Sequence, residues 1–279
     1  MATIIVVLVV SSLLIGCGGN DKKDAAVPTV TVYADSQLNG TYGFPYQALA
    51  VAADKAEAYG YEDQISDESA VSALDVLVAM HEAQYGDDFT AETCNDYFAV
   101  EDGWISKAFE NNTTSWSVIL NGEAAHGEVT SEYGGYESLM ISQTEVTDND
   151  VVEVVAYQDI ENYTDNAIWF LQDDKKINQL SVTAGAETTL TVKGYAFCFY
   201  GAYGTEEIQK TYLTPLTGVQ LALLQEDGSL ADIEGAISDS TGTVSFHVDE
   251  AGTYTVIAYM PADTGVFAFY SALMVTAAE

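Results

Sequence analysis

The sequence predicts an α+β domain followed by an all-β domain. Its 279 residues suffice for two domains at about 150 residues each. In the first half, one amphipathic helical segment lies among four or five strand-like segments. The second half alternates apolar and polar residues between turn signals. The apolar share of 48% is typical of globular proteins, so the many acidic residues do not indicate disorder.

The first domain is predicted over residues 28–160 and contains one long helix. Its start is marked by Asp67, Glu68 and Ser69, whose acidic and hydroxyl groups complement the free amide groups of a first turn. Gly86 marks its end, because glycine is common directly after a helix. One face carries apolar residues at helical spacing together with a histidine: Val71, Leu74, Leu77, Val78 and His81. We interpret this histidine as a core residue rather than a ligand.

Strand-like segments flank the predicted helix and supply a sheet. They span residues 29–33, 103–105, 116–120 and 151–157. A turn signal, residues 147–150, precedes the last of them. A sheet with an apolar face has to bury it, and the single amphipathic helix is the available cover. This combination predicts a β-grasp-like domain.

The order of these segments also carries a resemblance to a known family. A helix over residues 69–85 is followed by Gly103-Trp104-Ile105, by Trp116 ahead of an Asn121-Gly122 hairpin, and by the acidic turn Asp148–Asp150. This order resembles the family of bacterial surface domains similar to the C-terminal domain of transcobalamin. The resemblance implies a β-grasp fold and a binding role, with a corrinoid as one candidate ligand.

The second domain is predicted over residues 167–279 and reads as strands throughout. Apolar residues alternate with polar ones around residues 189–193, 219–223, 243–248 and 254–258, and turns fall at 227–228, 241–242 and 251–252. About seven short strands at this spacing predict a β-sandwich. The stretch Asp249–Val256 is similar to the tyrosine corner of immunoglobulin-like domains, in which the hydroxyl of Tyr254 would bind nearby backbone. We therefore expect an immunoglobulin-like sandwich.

The N-terminus predicts export and a lipid anchor. Residues 4–15 form an apolar run that is too short to span a bilayer but fits a secretory signal. Leu14-Ile15-Gly16-Cys17 resembles the lipobox of bacterial lipoproteins, which implies a signal peptide over residues 1–16 and a diacyl anchor on Cys17. A plain signal peptide with a stray cysteine is the alternative. Residues 17–27 are predicted to be a flexible tether.

Export leaves two further cysteines, Cys94 and Cys198. The second lies in an aromatic run and is most simply a small buried apolar residue. A disulfide between the two would have to join separate domains and is the less favoured alternative. No disulfide framework is expected.

The net charge excludes one class of partner. The chain has 43 acidic residues against eight lysines and no arginine, which gives a formal charge of −35. Nucleic-acid binding needs a cationic surface that releases counterions from phosphates. We expect no nucleic-acid partner, and anionic surfaces should repel the folded part.

The sequence lacks the motifs of common catalytic and cofactor sites. Neither G-x-S-x-G nor H-E-x-x-H occurs, and no P-loop or dinucleotide-binding glycine pattern is present. With 43 acidic residues, neighbouring carboxylates arise by chance. Asp148 and Asp150 could bind calcium but fit a turn better. We expect no catalytic residue, no metal and no cofactor.

Aromatic residues are the strongest hint of a ligand. Tyr42, Phe44 and Tyr46 lie in a segment punctuated by glycine and proline, and Tyr133 and Tyr136 lie in a glycine-rich hairpin loop. Exposed tyrosines on loops offer rigid contact area at low entropic cost. We hypothesise that these five residues bind an extracellular ligand, a glycan or a protein. The alternative is that they build the sheet or cover the core.

The sequence thus favours a non-catalytic, lipid-anchored binding or adhesion protein on the extracellular face of a bacterial cell membrane. It would present a β-grasp-like domain on an immunoglobulin-like module. The alternative is a solute-binding lipoprotein that captures a cobalamin-type ligand for uptake.

Overall fold

The computed structural model describes residues 27–38, 40–62, 64–65, 67, 69–112, 115–129, 136–197 and 210–279, with the backbone alone for residues 128–129 and 136–138. Over these ranges the chain is mostly β with one long helix. This agrees in outline with the predicted α+β part and all-β part. The predicted signal peptide, the tether up to residue 26, Tyr133 and Cys198 lie outside the described residues. No described helix is long and apolar enough to cross a membrane.

A mixed five-stranded sheet is the frame of the first part. In spatial order it consists of β2 (Thr41–Ala52), β1 (Thr29–Leu38), β11 (Val151–Ala156), β6 (Trp116–Leu120) and β7 (Glu123–Ala124). β1 and β11 are parallel, and the other neighbours are antiparallel. Alternation along β11 sends Val152 and Val154 to one core and Val155 to another. Both faces of this sheet therefore contribute apolar residues to a buried core.

The long helix begins later than the sequence predicts. It is α1 (Ala73–Tyr85), and the hydroxyl of its N-cap residue, Ser72, accepts a hydrogen bond from Asp75 N. In return, the Asp75 carboxylate accepts one from Ser72 N at 2.8 Å. The predicted start is wrong because the carboxylate of Asp67 instead accepts hydrogen bonds from Ser69 in a local turn. A reciprocal capping box satisfies two amide groups at once, which stabilises the later start.

The helix covers one face of the sheet and ends at Gly86, as predicted. Its buried residues pack with Val32, Phe44 and Val152 from the strands. Short elements close the rim of this core: α2 (Cys94–Tyr97), β3 (Val71–Ser72) with β10 (Glu145–Val146), and β4 (Ala99–Glu101) with β5 (Trp104–Lys107). A further short pair is β8 (His126–Val129) with β9 (Tyr136–Ser138).

The second part is a sandwich of two sheets. One contains β13 (Lys175–Ile177), β12 (Asn166–Gln172), β15 (Thr188–Ala196) and β16 (Thr214–Pro215), and β19 (Thr243–Phe246) also pairs with β15. The other contains β14 (Gln179–Thr183), β21 (Ser271–Ala278), β20 (Gly252–Tyr259), β17 (Gln220–Leu224) and β18 (Leu230–Ile237). The hydrogen bond expected of Tyr254 is present, because its hydroxyl donates to Glu250 O at 2.9 Å.

The two parts share a third core, which we call the seam. It covers the face of the first sheet that α1 leaves open. Strand β12 is apolar on both faces because Ile168 and Phe170 enter the sandwich core while Trp169 enters the seam. The seam comprises Ile119, Ala124, Val155 and Tyr157 of the first part and Ala167, Trp169, Leu171, Tyr195, Phe197 and Phe269 of the second.

A side-chain amide fixes the second part against the first. Gln37 Nε2 donates to Tyr270 O at 3.1 Å, and Tyr270 N donates to Gln37 Oε1 at 2.5 Å. Gln37 thereby pairs with the main chain of Tyr270 as a neighbouring strand would. The hydroxyl of Tyr270 in turn donates to Gly40 O. Apolar packing is not directional, so these hydrogen bonds specify where along the strands the two parts meet.

His81 is a core residue, as predicted. Its side chain is fully buried and stacks on Phe109, with ring centroids 4.2 Å apart. The amide of Phe109 donates to Nε2 at 3.0 Å, and Nδ1 lies 2.8 Å from Leu77 O. These partners require a neutral ring with its proton on Nδ1. Burial lowers the pKa of His81 to about 4.

Replacing Gln37 by alanine should lower the free energy of unfolding by about 2 kcal/mol, since the amide and carbonyl of Tyr270 would lose their partners in a partly buried place. Urea denaturation measures this loss. Gln225→Ala is the matched control, because Gln225 is exposed and its side chain bonds only within its own turn among the described contacts. Equal effects of the two changes would contradict the anchoring role of Gln37.

His81 should make the protein acid-sensitive. The unfolded chain binds a proton near pH 6.5 and the folded chain only near pH 4, so stability falls as the pH drops between these values. The loss attributable to His81 should reach about 3 kcal/mol. Denaturation midpoints from pH 7 to pH 4 measure it, and His81→Gln should flatten this part of the profile. His247→Gln, at an exposed position, should leave it unchanged; a steep profile in His81→Gln would refute the assignment.

Candidate binding cleft

The hairpin of β4 and β5 exposes a tryptophan. Asp102 and Gly103 form its two-residue turn, with φ values of 51° and 82°. Asp-Gly is a preferred pair for such a turn because both positions need positive φ. Trp104 follows directly and is 55% exposed. An exposed indole on a short, hydrogen-bonded hairpin offers a large and rigid contact surface.

A narrow cleft lies beside this tryptophan. Its lining is mostly apolar: Gly103, Trp104, Ile105, Trp116, Ser117, Val118, Ala124, Ala125, Leu139, Met140 and Ile141. The enclosed volume is about 30 Å³, which accommodates one small group rather than a whole ligand. A ligand would therefore lie across the indole and insert a single group into the cleft.

Close packing holds the hairpin against the cleft wall. The backbone of Gly103 has a φ of 82° and approaches the Met140 side chain so closely that a Cβ would displace the Met140 sulfur. Met140 N is itself held by the side chain of Gln143, whose Oε1 accepts its hydrogen bond at 3.1 Å. Lys107 Nζ donates to Asn95 O at 3.0 Å, which ties β5 to α2. The exposed tryptophan therefore stands on a fixed base.

The rim of the cleft is acidic. Glu101 and Asp102 are exposed directly before Gly103, which lines the cleft. Together with the formal charge of −35, these carboxylates disfavour anionic ligands. The cleft suits a neutral or cationic ligand with a flat apolar face.

The cleft adjoins one of the two predicted aromatic groups. Tyr136 opens β9, whose backbone pairs with Val129, and the chain then enters Leu139, which lines the cleft. The side chain of Tyr136 and the whole of Tyr133 lie outside the described residues. Their predicted contact with a ligand stays a prediction.

The other predicted aromatic group does not form a loop. Tyr42, Phe44 and Tyr46 belong to β2, so the expectation of a surface loop is wrong and the alternative of a sheet-building role holds for their backbone. Proline is tolerated within this strand because β2 is at the sheet edge. A side chain at Gly43 would collide with Ser36 Oγ, so glycine here permits close strand packing rather than a turn.

The three side chains of β2 have separate surroundings. Phe44 is 1% exposed and packs against Phe109 in the first core. The ring of Tyr42 packs edge-on against that of Tyr270 across the junction of the two parts, with ring centroids 5.0 Å apart. The ring of Tyr46 stacks on that of Tyr33 at 5.8 Å and stays partly exposed. The five predicted aromatic residues therefore do not share one described surface.

Trp104 was missed by the sequence reasoning as a binding residue. A signal was present, because a large aromatic residue follows an Asp-Gly turn in a short strand-like segment. Nothing in the pattern distinguishes an exposed indole from one that covers the core.

The described residues offer no metal site in the first or the second part. No group of three or more histidine, cysteine, aspartate or glutamate side chains within those ranges has a suitable arrangement. Two histidines each lie near a single carboxylate: His126 Nε2 is 3.4 Å from Glu123 Oε2, and His247 Nε2 is 3.4 Å from Asp249 Oδ1. Cys94 is buried and forms no disulfide with any described residue, whereas Cys198 lies outside that part of the chain.

No protein-family model matches the chain, and a search of the curated proteins finds no match either. The similarities to the transcobalamin-like and immunoglobulin-like families therefore stay predictions drawn from motifs.

Proposed function

We propose that this chain is a non-catalytic, lipid-anchored extracellular binding protein that presents a ligand surface at Trp104. The first domain, residues 28–160, is a β-grasp-like binding domain. The second, residues 167–279, is an immunoglobulin-like module that supports it. The observation that carries the proposal is the 55% exposure of Trp104 on a packed hairpin beside an apolar cleft.

Two structural features support the fold assignments within this proposal. A single long helix lies across one face of a mixed sheet, as a β-grasp-like domain requires. The second part pairs two sheets and carries the hydrogen bond from Tyr254 to Glu250 O that a tyrosine corner would make. The shared seam makes the second part a stable base rather than a loosely tethered neighbour.

The chemistry of the cleft favours a neutral glycan. A sugar ring presents a flat apolar face of C–H groups, which packs on an exposed indole, and its hydroxymethyl group is small enough for the narrow cleft. Tryptophan is also enriched among residues that dominate binding energy. Anionic polymers are disfavoured by the acidic rim and the net charge.

Trp104→Ala should weaken binding to a neutral glycan at least tenfold, because the stacking surface is lost. A glycan array with residues 27–279 identifies the ligand, and titration calorimetry compares the variants. Phe267→Ala is the control, since Phe267 is an aromatic residue 41% exposed on the second part. Unchanged affinity in Trp104→Ala would remove the cleft from the proposal.

Cobalamin belongs in the same titration because of the motif resemblance. Micromolar or tighter binding that does not depend on Trp104 would replace the proposed role with solute capture for uptake. Absence of corrinoid binding together with glycan binding would support the proposal.

Cys17→Ser should release the protein from membranes, because the anchor thiol is lost. Cell fractionation and mass spectrometry of the N-terminal peptide measure this. Cys94→Ser is the control, since Cys94 is buried in the first part and should not affect anchoring. An unmodified thiol at position 17 in the mature protein would overturn the lipid anchor.

A further inference from the structure

Two acidic side chains lie side by side beneath the second part. Asp35 of β1 and Glu153 of β11 are register partners on parallel neighbouring strands. They are 1% and 6% exposed. Glu153 lines a small cavity with Trp169 and Lys176 of the second part, and Asp35 contacts the anchoring residue Gln37. The pair therefore belongs to the junction of the two parts.

Their hydrogen bonding does not suit two ionised carboxylates. Asp35 Oδ1 accepts a hydrogen bond from Gln37 Nε2 at 3.3 Å, whereas Asp35 Oδ2 is buried without a partner among the described residues. A buried carboxylate oxygen without a partner is costly while the group is charged. A proton on the pair removes that charge.

Among the described residues, Lys176 is the cation that acts on the pair. Lys176 faces Glu153, but its charge is shared with other groups. Its Nζ donates a hydrogen bond to Asn121 O at 2.9 Å and lies 3.7 Å from Glu123 Oε1. The same Nζ lies 4.4 Å from the centroid of the Trp169 ring. The titratable or charged groups around the pair come from several elements: Tyr33 of β1, Tyr42 and Tyr46 of β2, Glu123 of β7, Lys176 of β13, Tyr195 of β15 and Tyr270 before β21.

We propose that Asp35 and Glu153 hold a proton between them while the two parts are packed, and that release of this proton to solvent loosens the seam. Release leaves two like charges adjacent in a dry interface. Separation of the two parts hydrates both carboxylates and removes that repulsion. The first core lies on the opposite face of the sheet and keeps its own packing. The pair is thus a proton-sensitive latch between the parts.

The direction of the pH effect follows from burial. Burial, and then the charge of Glu153, raises the pKa of Asp35 well above its usual range. Burial raises the pKa of Glu153 to about 8, against the opposing effect of Lys176. The pair's contribution is complete below the ordinary carboxyl pKa. It starts to be lost as the pH rises through about 8, where Glu153 releases its proton, and is fully lost only at higher pH, where Asp35 also ionises. The pair therefore loses stability as the pH rises, whereas His81 causes a loss of stability as the pH falls.

Small-angle X-ray scattering of the full chain at pH 6 and at a series of pH values above 8 tests the latch. The radius of gyration should rise over the alkaline series while far-ultraviolet circular dichroism stays unchanged. Asp35→Asn and Glu153→Gln, each made singly, should abolish the rise because neither variant can build two adjacent charges. Glu145→Gln, at an exposed position in the first part, should keep it.

Infrared spectroscopy provides a second measurement that does not need both variants to fold. The protein at pH 7 should show the carbonyl band of a protonated carboxyl, and this band should lose intensity in either foldable variant, because each variant has one buried carboxyl fewer. A constant radius of gyration in the unaltered protein, or the same rise in both variants, would overturn the proposal. Absence of the protonated band at pH 7 would do so as well.

Discussion

The burial of both faces of the first sheet is the constraint on which the rest of the structure depends. The helix covers one face, and the seam covers the other with residues such as Val155, Trp169 and Phe197. Strand β12 consequently has no polar face in its middle, since it contributes to two cores at once. Apolar burial is the main driving force of folding, so the two parts are expected to stabilise each other.

Polar groups within this interface provide directional hydrogen bonds, which apolar contacts lack. Gln37 satisfies the main chain of Tyr270 and so selects one alignment of the parts. Asp35 and Glu153 lie on the same side, where ionisation is costly. The interface that holds the parts together therefore also makes them responsive to protons. The tryptophan hairpin has its own support from Met140 and Asn95.

Local patterns predicted the elements better than they predicted their surroundings. The strand at residues 116–120 and the helix end at Gly86 follow from alternation and turn chemistry, which act over a few residues. The bond made by Tyr254 was expected from the resemblance to a tyrosine corner. The helix start was misplaced because two Asp/Ser pairs compete for the same role, and only one of them caps. The segment of Tyr42 was taken for a loop because Gly43 and Pro45 usually mark turns, yet an edge strand tolerates both.

By itself, the sequence determined an acidic chain with an α+β part, an all-β part and one long helix. Tertiary structure alone decided that Phe44 is core, that Trp104 is exposed, and that Asp35 and Glu153 meet beneath the second part. The physical reason is that periodicity shows which residues share a face of an element. What covers that face depends on contacts between residues far apart in the chain, which no local pattern encodes.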